Sequence, residues 1–209
     1  MAERDPDHAL LIDFGGVLTT PVWDSFAAFC LRNGLEEGAV KRLFREDPDA
    51  IADLRSLETG ELDEDAFEHR FGARLGLEDH SQLIDSMFAG MVPVEAMTSA
   101  VRAARGAGVP TGLVSNSWSV DHYDRDLLTE LFDEIVISAE VRMHKPQPEI
   151  YLLAAERIGR PPASCVFVDD LRENCDGAAA VGMTPLLHRE PDETIPLLER
   201  MLGIALREA

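Results

Sequence analysis

Positive charge is scarce in this sequence. Of its 209 residues, 19 are lysine or arginine against 39 aspartate or glutamate, a formal net charge of −20 at neutral pH. Only two are lysines, Lys41 and Lys145. A field of that sign repels nucleic acid and anionic membrane, and no basic block compensates for it, so neither is expected as a partner. It also opposes phosphorylated ligands at long range, so a phosphate site needs positive groups close by. Cysteine is rare as well. Cys30, Cys165 and Cys175 show no CxxC or Cys/His metal spacing, and their odd number suits a reducing compartment. Cys165 in particular reads as a core thiol. No apolar run approaches the roughly 18 to 20 residues needed to cross a bilayer. The charged N-terminus MAERDPDH does not read as a secretory signal. A cytoplasmic location is the expectation.

Apolar residues make up 45% of the chain, and its length suffices for one sizeable core carrying a smaller insertion. Short, continuously apolar runs read as strands: ALLIDF at 9–14, TGLVS at 111–115, EIVIS at 134–138, CVFVD at 165–169 and TPLLH at 184–188. Such runs suit a parallel sheet covered on both faces. Helical patterns lie between the later ones, at 121–132, 148–159 and 171–182. This alternation predicts an α/β fold with a three-layer, Rossmann-like parallel core.

The interval between the first two strands breaks that rhythm, because residues 15–110 far exceed one crossover helix. Apolar stripes recur there at helical spacing: Val22, Phe26 and Phe29, then Val40, Leu43 and Phe44, then Phe67, Phe71 and Leu75. Turn signals separate them at Asn33–Gly34, Thr59–Gly60 and Gly76. An all-helical cap is therefore expected at 19–90, joined through segments near 15–21 and 89–93. Residues 1–18 and 91–209 then form the core domain, which a helix at 96–107 re-enters.

In open α/β sheets, ligands collect beyond the carboxyl ends of the strands. The chemically sharp residues gather at those positions. The first strand runs into Asp13 and Gly15–Gly16, and the second ends in Ser115–Asn116–Ser117. His144–Lys145–Pro146 follows the third, and the fourth ends in Asp169–Asp170. Carboxylates, hydroxyl and amide donors and one ammonium at adjacent strand ends are hard to explain as solvation. Asp13, Asp169 and Asp170 crowd negative charge that Mg²⁺ would neutralise with hard oxygen ligands. Lys145 supplies a second positive centre, Ser115 a hydroxyl donor, and Asp13 a nucleophile able to form an acyl-phosphate.

Four segments carry a resemblance: LLIDFGGVL at 10–18, LVSNS at 113–117, HKPQPEIY at 144–151 and VFVDDLRENCDGAAAVGM at 166–183. In that order they resemble the haloacid dehalogenase-like superfamily, specifically its members with a small helical cap after the first strand. LETGELDEDAFEHRF at 57–71 is similar to the caps of that group. The resemblance implies that Asp13 is the nucleophile, that Ser115 and Asn116 bind phosphate, and that Lys145 is the cation of the third motif. It implies Mg²⁺ at Asp13, the Gly15 carbonyl, Asp169 and Asp170. The implied activity is a phosphatase of small phosphorylated metabolites. Dehalogenation is disfavoured, since that branch needs no magnesium and lacks this Asp–Asp pair.

One position departs from the phosphatase pattern. The second aspartate of loop one, the usual general acid and base, is here Gly15. Glycine keeps the carbonyl but cannot move a proton, and such help is typically worth about 10²–10⁴-fold. An acidic cap residue, His144, or a substrate whose leaving group needs no proton are the open substitutes. The alternative is a catalytically weak or non-catalytic relative that binds or senses metabolites. Trp118 is open between lining the pocket and packing its loop, and Trp23 reads as cap packing. Asn174 reads as structural, orienting loop four or capping its helix. The acidic stretch 61–68 reads as a helix start. His69, His80, His122 and His188 form no ligand spacing. The stripe Ile195, Leu198 and Leu202 either packs on the core or meets another surface.

Overall fold

Five apolar runs become strands, the three central ones buried along their whole length and the two at the edges partly exposed. The computed structural model describes residues 8–118 and 123–206. Its strands are β1 (Ala9–Ile12), β2 (Thr111–Ser115), β3 (Glu134–Ile137), β4 (Cys165–Asp169) and β5 (Thr184–Leu187). They form one parallel sheet in the order β3-β2-β1-β4-β5. The chain therefore winds outward to one side through β2 and β3, then restarts on the other side at β4. The reversal falls between β1 and β4, the place where such sheets bind ligands.

Helices cover both faces. In chain order they are α1 (Val22–Arg32), α2 (Ala39–Glu46), α3 (Pro48–Glu58), α4 (Glu64–Leu75), α5 (Leu83–Phe88) and α6 (Glu95–Gly106). They continue with α7 (Arg125–Leu131), α8 (Ser138–Val141), α9 (Pro148–Arg157), α10 (Arg172–Ala180) and α11 (Pro191–Leu202). Successive side chains of a strand point to opposite faces. Leu10 and Ile12 meet Met97 and Val101 of α6 and the buried stripe Ile195, Leu198 and Leu202 of α11. That stripe packs on the core. Ala9 and Leu11 face Ile150, Tyr151 and Ala154 of α9 and Ala178 of α10.

Helices α1 to α5 build a separate apolar cluster around Phe26, Phe29, Phe67, Phe71 and Met87. All three predicted stripes lie in it, so the architecture is a parallel α/β core with a helical cap. The glycine signals hold too: Gly34, Gly60 and Gly76 adopt positive φ. Helix α3 showed no apolar stripe in the sequence, because its inward face is Ala50, Asp53 and Leu57. Asp53 instead accepts hydrogen bonds from Arg70 at 2.8 Å and Arg74 at 2.7 Å of α4. Burial works against its charge, yet the two guanidiniums hold it below the usual carboxylate range. The acidic stretch at 61–68 is a helix start, where Asp63 accepts from the Ala66 amide at 2.7 Å. The segments entering and leaving the cap lie side by side, bridged antiparallel at Thr19 and Pro93. Thr20 N donates to Val92 O and Val94 N to Leu18 O, each at 2.8 Å.

Most element boundaries differ from expectation by one to four residues, and two of these differences lie next to the site. Strand β1 ends at Ile12, although the Asp13 amide still donates to Val168 O at 2.9 Å. The helix expected over 121–132 starts at Arg125, because Asp124 turns to cap it by accepting from Asp126 N and Leu127 N. Residues 121 and 122, and with them His122, lie outside the described residues.

Candidate active site

Adjacent parallel strands bring their carboxyl ends to one edge of the sheet, and that edge is the floor of the site. Asp13 follows β1, Ser115 closes β2, and Asp169 closes β4 on the other side of β1. Lys145 arrives from the loop between α8 and α9. Its ammonium lies 2.7 Å from Asp13 Oδ1 and 2.7 Å from Asp169 Oδ2, and its side chain is 1% exposed. Asp13, Asp169 and Asp170 can each bring a carboxylate oxygen within 4.8 Å of the others. These are the residues that the sequence singled out, and the fold brings them together.

The charges do not balance. Three carboxylates share one ammonium. Burial, with Asp169 and Asp170 adding to it, pushes Asp13 up to about 7 against the pull of Lys145. Burial and Asp169 push Asp170 up to about 6. Lys145 shows the complement: burial opposes its charge, but Asp13 and Asp169 together raise its pKa. An unneutralised, oxygen-only cluster of this kind is suited to a hard divalent cation. The donor set fits such a metal.

The surrounding polar groups hold the floor rigid. Asn174 Nδ2 donates to Asp169 Oδ1 at 3.0 Å and Oδ2 at 3.1 Å, and the Leu171 amide donates to Oδ1 at 2.9 Å. Asn174 thus orients loop four. Asn116 clamps the Lys145 backbone in both directions: its Nδ2 donates to Lys145 O at 3.1 Å, and its Oδ1 accepts from Lys145 N at 2.8 Å. One N–H of its amide is therefore committed to positioning Lys145. Gly16, at φ 76°, carries no side chain for a physical reason: a β-carbon would lie 2.5 Å from Asp170 Oδ2. Its absence lets loop one close against the second acid of the pair. At Gly15 a β-carbon would lie 3.0 Å from Val22 Cγ2, so the start of α1 crowds that space. Cys165 and Cys175 are buried, with thiols pushed up to about 11 mainly by desolvation. They stay protonated and inert.

Above the floor lies a cavity of about 850 Å³ shared by core and cap. Asp13, Gly15, Ser115, Asn116, Lys145 and Asp170 line its base. Its opposite wall is largely apolar, formed by Val22, Trp23, Phe44, Leu54, Phe88 and Trp118. Trp118 settles both open readings at once. It lines the cavity, and its ring lies 5.2–5.5 Å from those of Phe26, Phe44, Phe67 and Phe88. Trp23 packs edge-on to Phe26 and also faces the cavity. Three cations from the cap, Lys41, Arg45 and Arg55, border the same space.

Sequence reading missed two neighbours. Tyr123 Oη shares a 2.9 Å hydrogen bond with Ser115 Oγ, but its position inside an expected helix concealed it. Glu58, the last residue of α3, lines the cavity from the cap. Burial pushes its carboxyl up to about 8, with Asp13 adding to the shift while Lys145, Arg55 and Trp118 oppose it. The segment containing it was legible as cap-like, without any sign of which acid turns inward.

A profile of haloacid dehalogenase-like hydrolases matches residues 8–182. The chain belongs to that family. A sesquiterpene phosphatase of Aspergillus oryzae is 31% identical over 155 residues, 70% of this chain and 77% of that protein. Bifunctional epoxide hydrolase 2 of Rattus norvegicus is 32% identical over 120 residues, 54% of this chain. The match spans 22% of the length of that larger relative. Among solved structures, a member of the family from Bacteroides thetaiotaomicron superposes with a TM-score of 0.69 at 20% identity. It covers 91% of this chain and 98% of its own. No helix among the described residues is long and apolar enough to cross a membrane.

Proposed function

We propose that this member of the haloacid dehalogenase-like hydrolases is a magnesium-dependent phosphatase of small phosphate monoesters, working through Asp13. It falls with the small-cap members whose first motif reads DFGGVL, with residues 1–18 and 91–209 as core and 19–90 as cap. The observation that carries the reading is the buried Lys145 ammonium bridging Asp13 and Asp169 beside Asp170. Asp13, the Gly15 carbonyl, Asp169 and Asp170 would hold Mg²⁺, which when bound supplies positive charge for a phosphate oxygen.

The chain's own groups do the rest. Lys145 favours the carboxylate form of Asp13 against the effect of burial and stabilises charge on the transferring group. Ser115, set by Tyr123, offers its hydroxyl to a phosphate oxygen, and Asn116 fixes Lys145 while retaining a second amide N–H. Asp13 attacks phosphorus as the ester oxygen leaves, and water then opens the aspartyl-phosphate. The aromatic wall and the bordering cations support esters with an apolar or aromatic body. The name of the Aspergillus relative, a sesquiterpene phosphatase, is in keeping with that preference.

The test is phosphate release from a panel of aliphatic, aryl and sugar monoesters, with Mg²⁺ and with chelator, for the natural chain and Asp13→Asn. Metal-dependent release, lowered on the order of 10⁴-fold or more in the variant, is the expected result. Equal activity in Asp13→Asn would remove Asp13 as the nucleophile. Gly15 favours one other reading, a binding or sensing protein of the same fold. Saturable binding of inorganic phosphate without turnover of any ester would select it.

A further inference from the structure

The reaction needs a group that protonates the leaving oxygen and later activates water, and loop one does not contain one. Gly15 has no side chain, and Val22 crowds the space that a side chain there would use. In-line transfer puts the leaving oxygen on the far side of phosphorus from the nucleophile. With Asp13 on the core floor, that side faces the cap. Four carboxylates line the cavity, Asp13, Asp170, Glu173 and Glu58. The first two belong to the floor, and Glu173 is exposed on α10. Glu58 is the acid that the cap contributes to this lining. His144 also lines the cavity, but from the floor side next to Lys145, with Nδ1 2.9 Å from the Lys145 carbonyl.

We propose that Glu58 is the general acid and base of this site, supplied by the cap in place of the missing aspartate of loop one. The inference rests on the phosphatase reading and deepens it. Its placement is fixed from both sides. Leu57, the preceding residue, is buried in the cap cluster. Two residues on, Gly60 turns at φ 69°, and a β-carbon there would lie 3.1 Å from the Ala139 carbonyl of α8. A side chain at that turn would press on the Ala139 carbonyl, so the glycine lets the end of α3 approach the core closely. The groups acting on Glu58 are Arg55 from its own helix, Asp13 and Lys145 from the floor, and Trp118 from the loop after β2. Its raised pKa, about 8, leaves it protonated at neutral pH, the state a general acid requires.

The proton account closes over one cycle. As the Asp13 oxygen bonds to phosphorus and the ester P–O bond breaks, the Glu58 carboxyl gives its proton to the departing alkoxide. Glu58 carboxylate then takes a proton from the water that attacks phosphorus. The second P–O bond breaks, releasing phosphate and restoring the Asp13 carboxylate and the Glu58 acid.

The experiment compares Glu58→Gln with the natural chain on two esters of similar size, benzyl phosphate and p-nitrophenyl phosphate, in rapid-mixing and steady-state assays. The phosphoenzyme is trapped by acid quench. Benzyl alcoholate needs a proton to leave, whereas nitrophenolate does not. In Glu58→Gln, benzyl phosphate turnover should fall about 10²–10⁴-fold. Nitrophenolate should still appear in a burst at close to the natural rate, followed by slow turnover and accumulated phosphoenzyme. The ratio of the two first-step rates does not depend on how much variant is folded, and Glu58→Asp, keeping the acid, should recover part of the benzyl rate. Equal losses in both first steps would overturn the role of Glu58 while leaving the phosphatase reading intact, as would benzyl turnover within about 3-fold of natural. If the natural chain turned over neither ester, both would fall.

Discussion

The two walls of the cavity are held by different forces. The floor is a set of charges, fixed by strand ends and by hydrogen bonds of 2.7–3.1 Å from Lys145, Asn174 and Leu171 onto Asp13 and Asp169. The cap wall is a set of rings, held by packing around Trp118 and Phe26. The floor gains rigidity at the cost of concentrated negative charge, while the cap wall gains cohesion from apolar area and carries few groups able to react. Under the proposed phosphatase activity, the floor would handle the phosphate and the cap would recognise the rest of the molecule. Glu58 is the exception, a carboxylate displayed by the apolar side.

The comparison can be broken hardest at Lys145. Lys145→Met leaves three carboxylates without their ammonium, and removing one partner of a buried ion pair typically costs about 3–5 kcal/mol. Chemical denaturation in chelator should show a loss of that size. Saturating Mg²⁺ should recover part of it, about 2.7 kcal/mol at 100 times the dissociation constant. No recovery would mean that the floor is not a cation site. Next in size is Trp118→Ala. This ring is partly exposed to the cavity, so the expected loss is about 2–3 kcal/mol, below the roughly 3–5 of a fully buried aromatic. It should also raise KM for aryl esters more than it lowers kcat, and a reversed pattern would give Trp118 a part in the chemistry.

The last prediction sharpens the contrast at Glu58. Its carboxyl is raised from 4.5 to about 8 in the folded chain. The folded state therefore keeps the proton longer than the unfolded one. Stability from this group is fully present below the unfolded value and is lost as pH rises through about 8. In chelator, thermal midpoints measured from about pH 5 to pH 9 should fall more steeply for the natural chain than for Glu58→Gln. Parallel curves would mean that Glu58 ionises normally.

Much of the floor was readable beforehand, for reasons visible in single residues. Continuous apolar runs such as CVFVD place their own final residue at the sheet edge, so Asp169 needed no tertiary information. Asn174 reads from sequence as a structural residue of loop four, and in the fold it orients Asp169. The role of Asn116 was less readable. Its position beside Ser115 suggested a phosphate contact, but the structure commits its amide largely to Lys145, 29 residues on. Tyr123 stayed hidden because a helical pattern ran over the residues around it. Helix α3 was hidden because a buried Asp53, paired with two arginines, occupies a place where an apolar residue would have announced the face.

The sequence by itself determined the parallel sheet, its order of elements, the helical insertion and the gathering of Asp13, Ser115, Lys145, Asp169 and Asp170 at one edge. Those features follow from local hydrophobic period and from the geometry of parallel strands, which act over a few residues at a time. Only the tertiary structure decided that Trp118 sits among the cap's rings, that Tyr123 reaches Ser115 and that Glu58 faces Asp13. These depend on how closely the cap packs against the core, through contacts such as Gly60 beside Ala139 between segments far apart in the chain. No pattern within either segment encodes that distance.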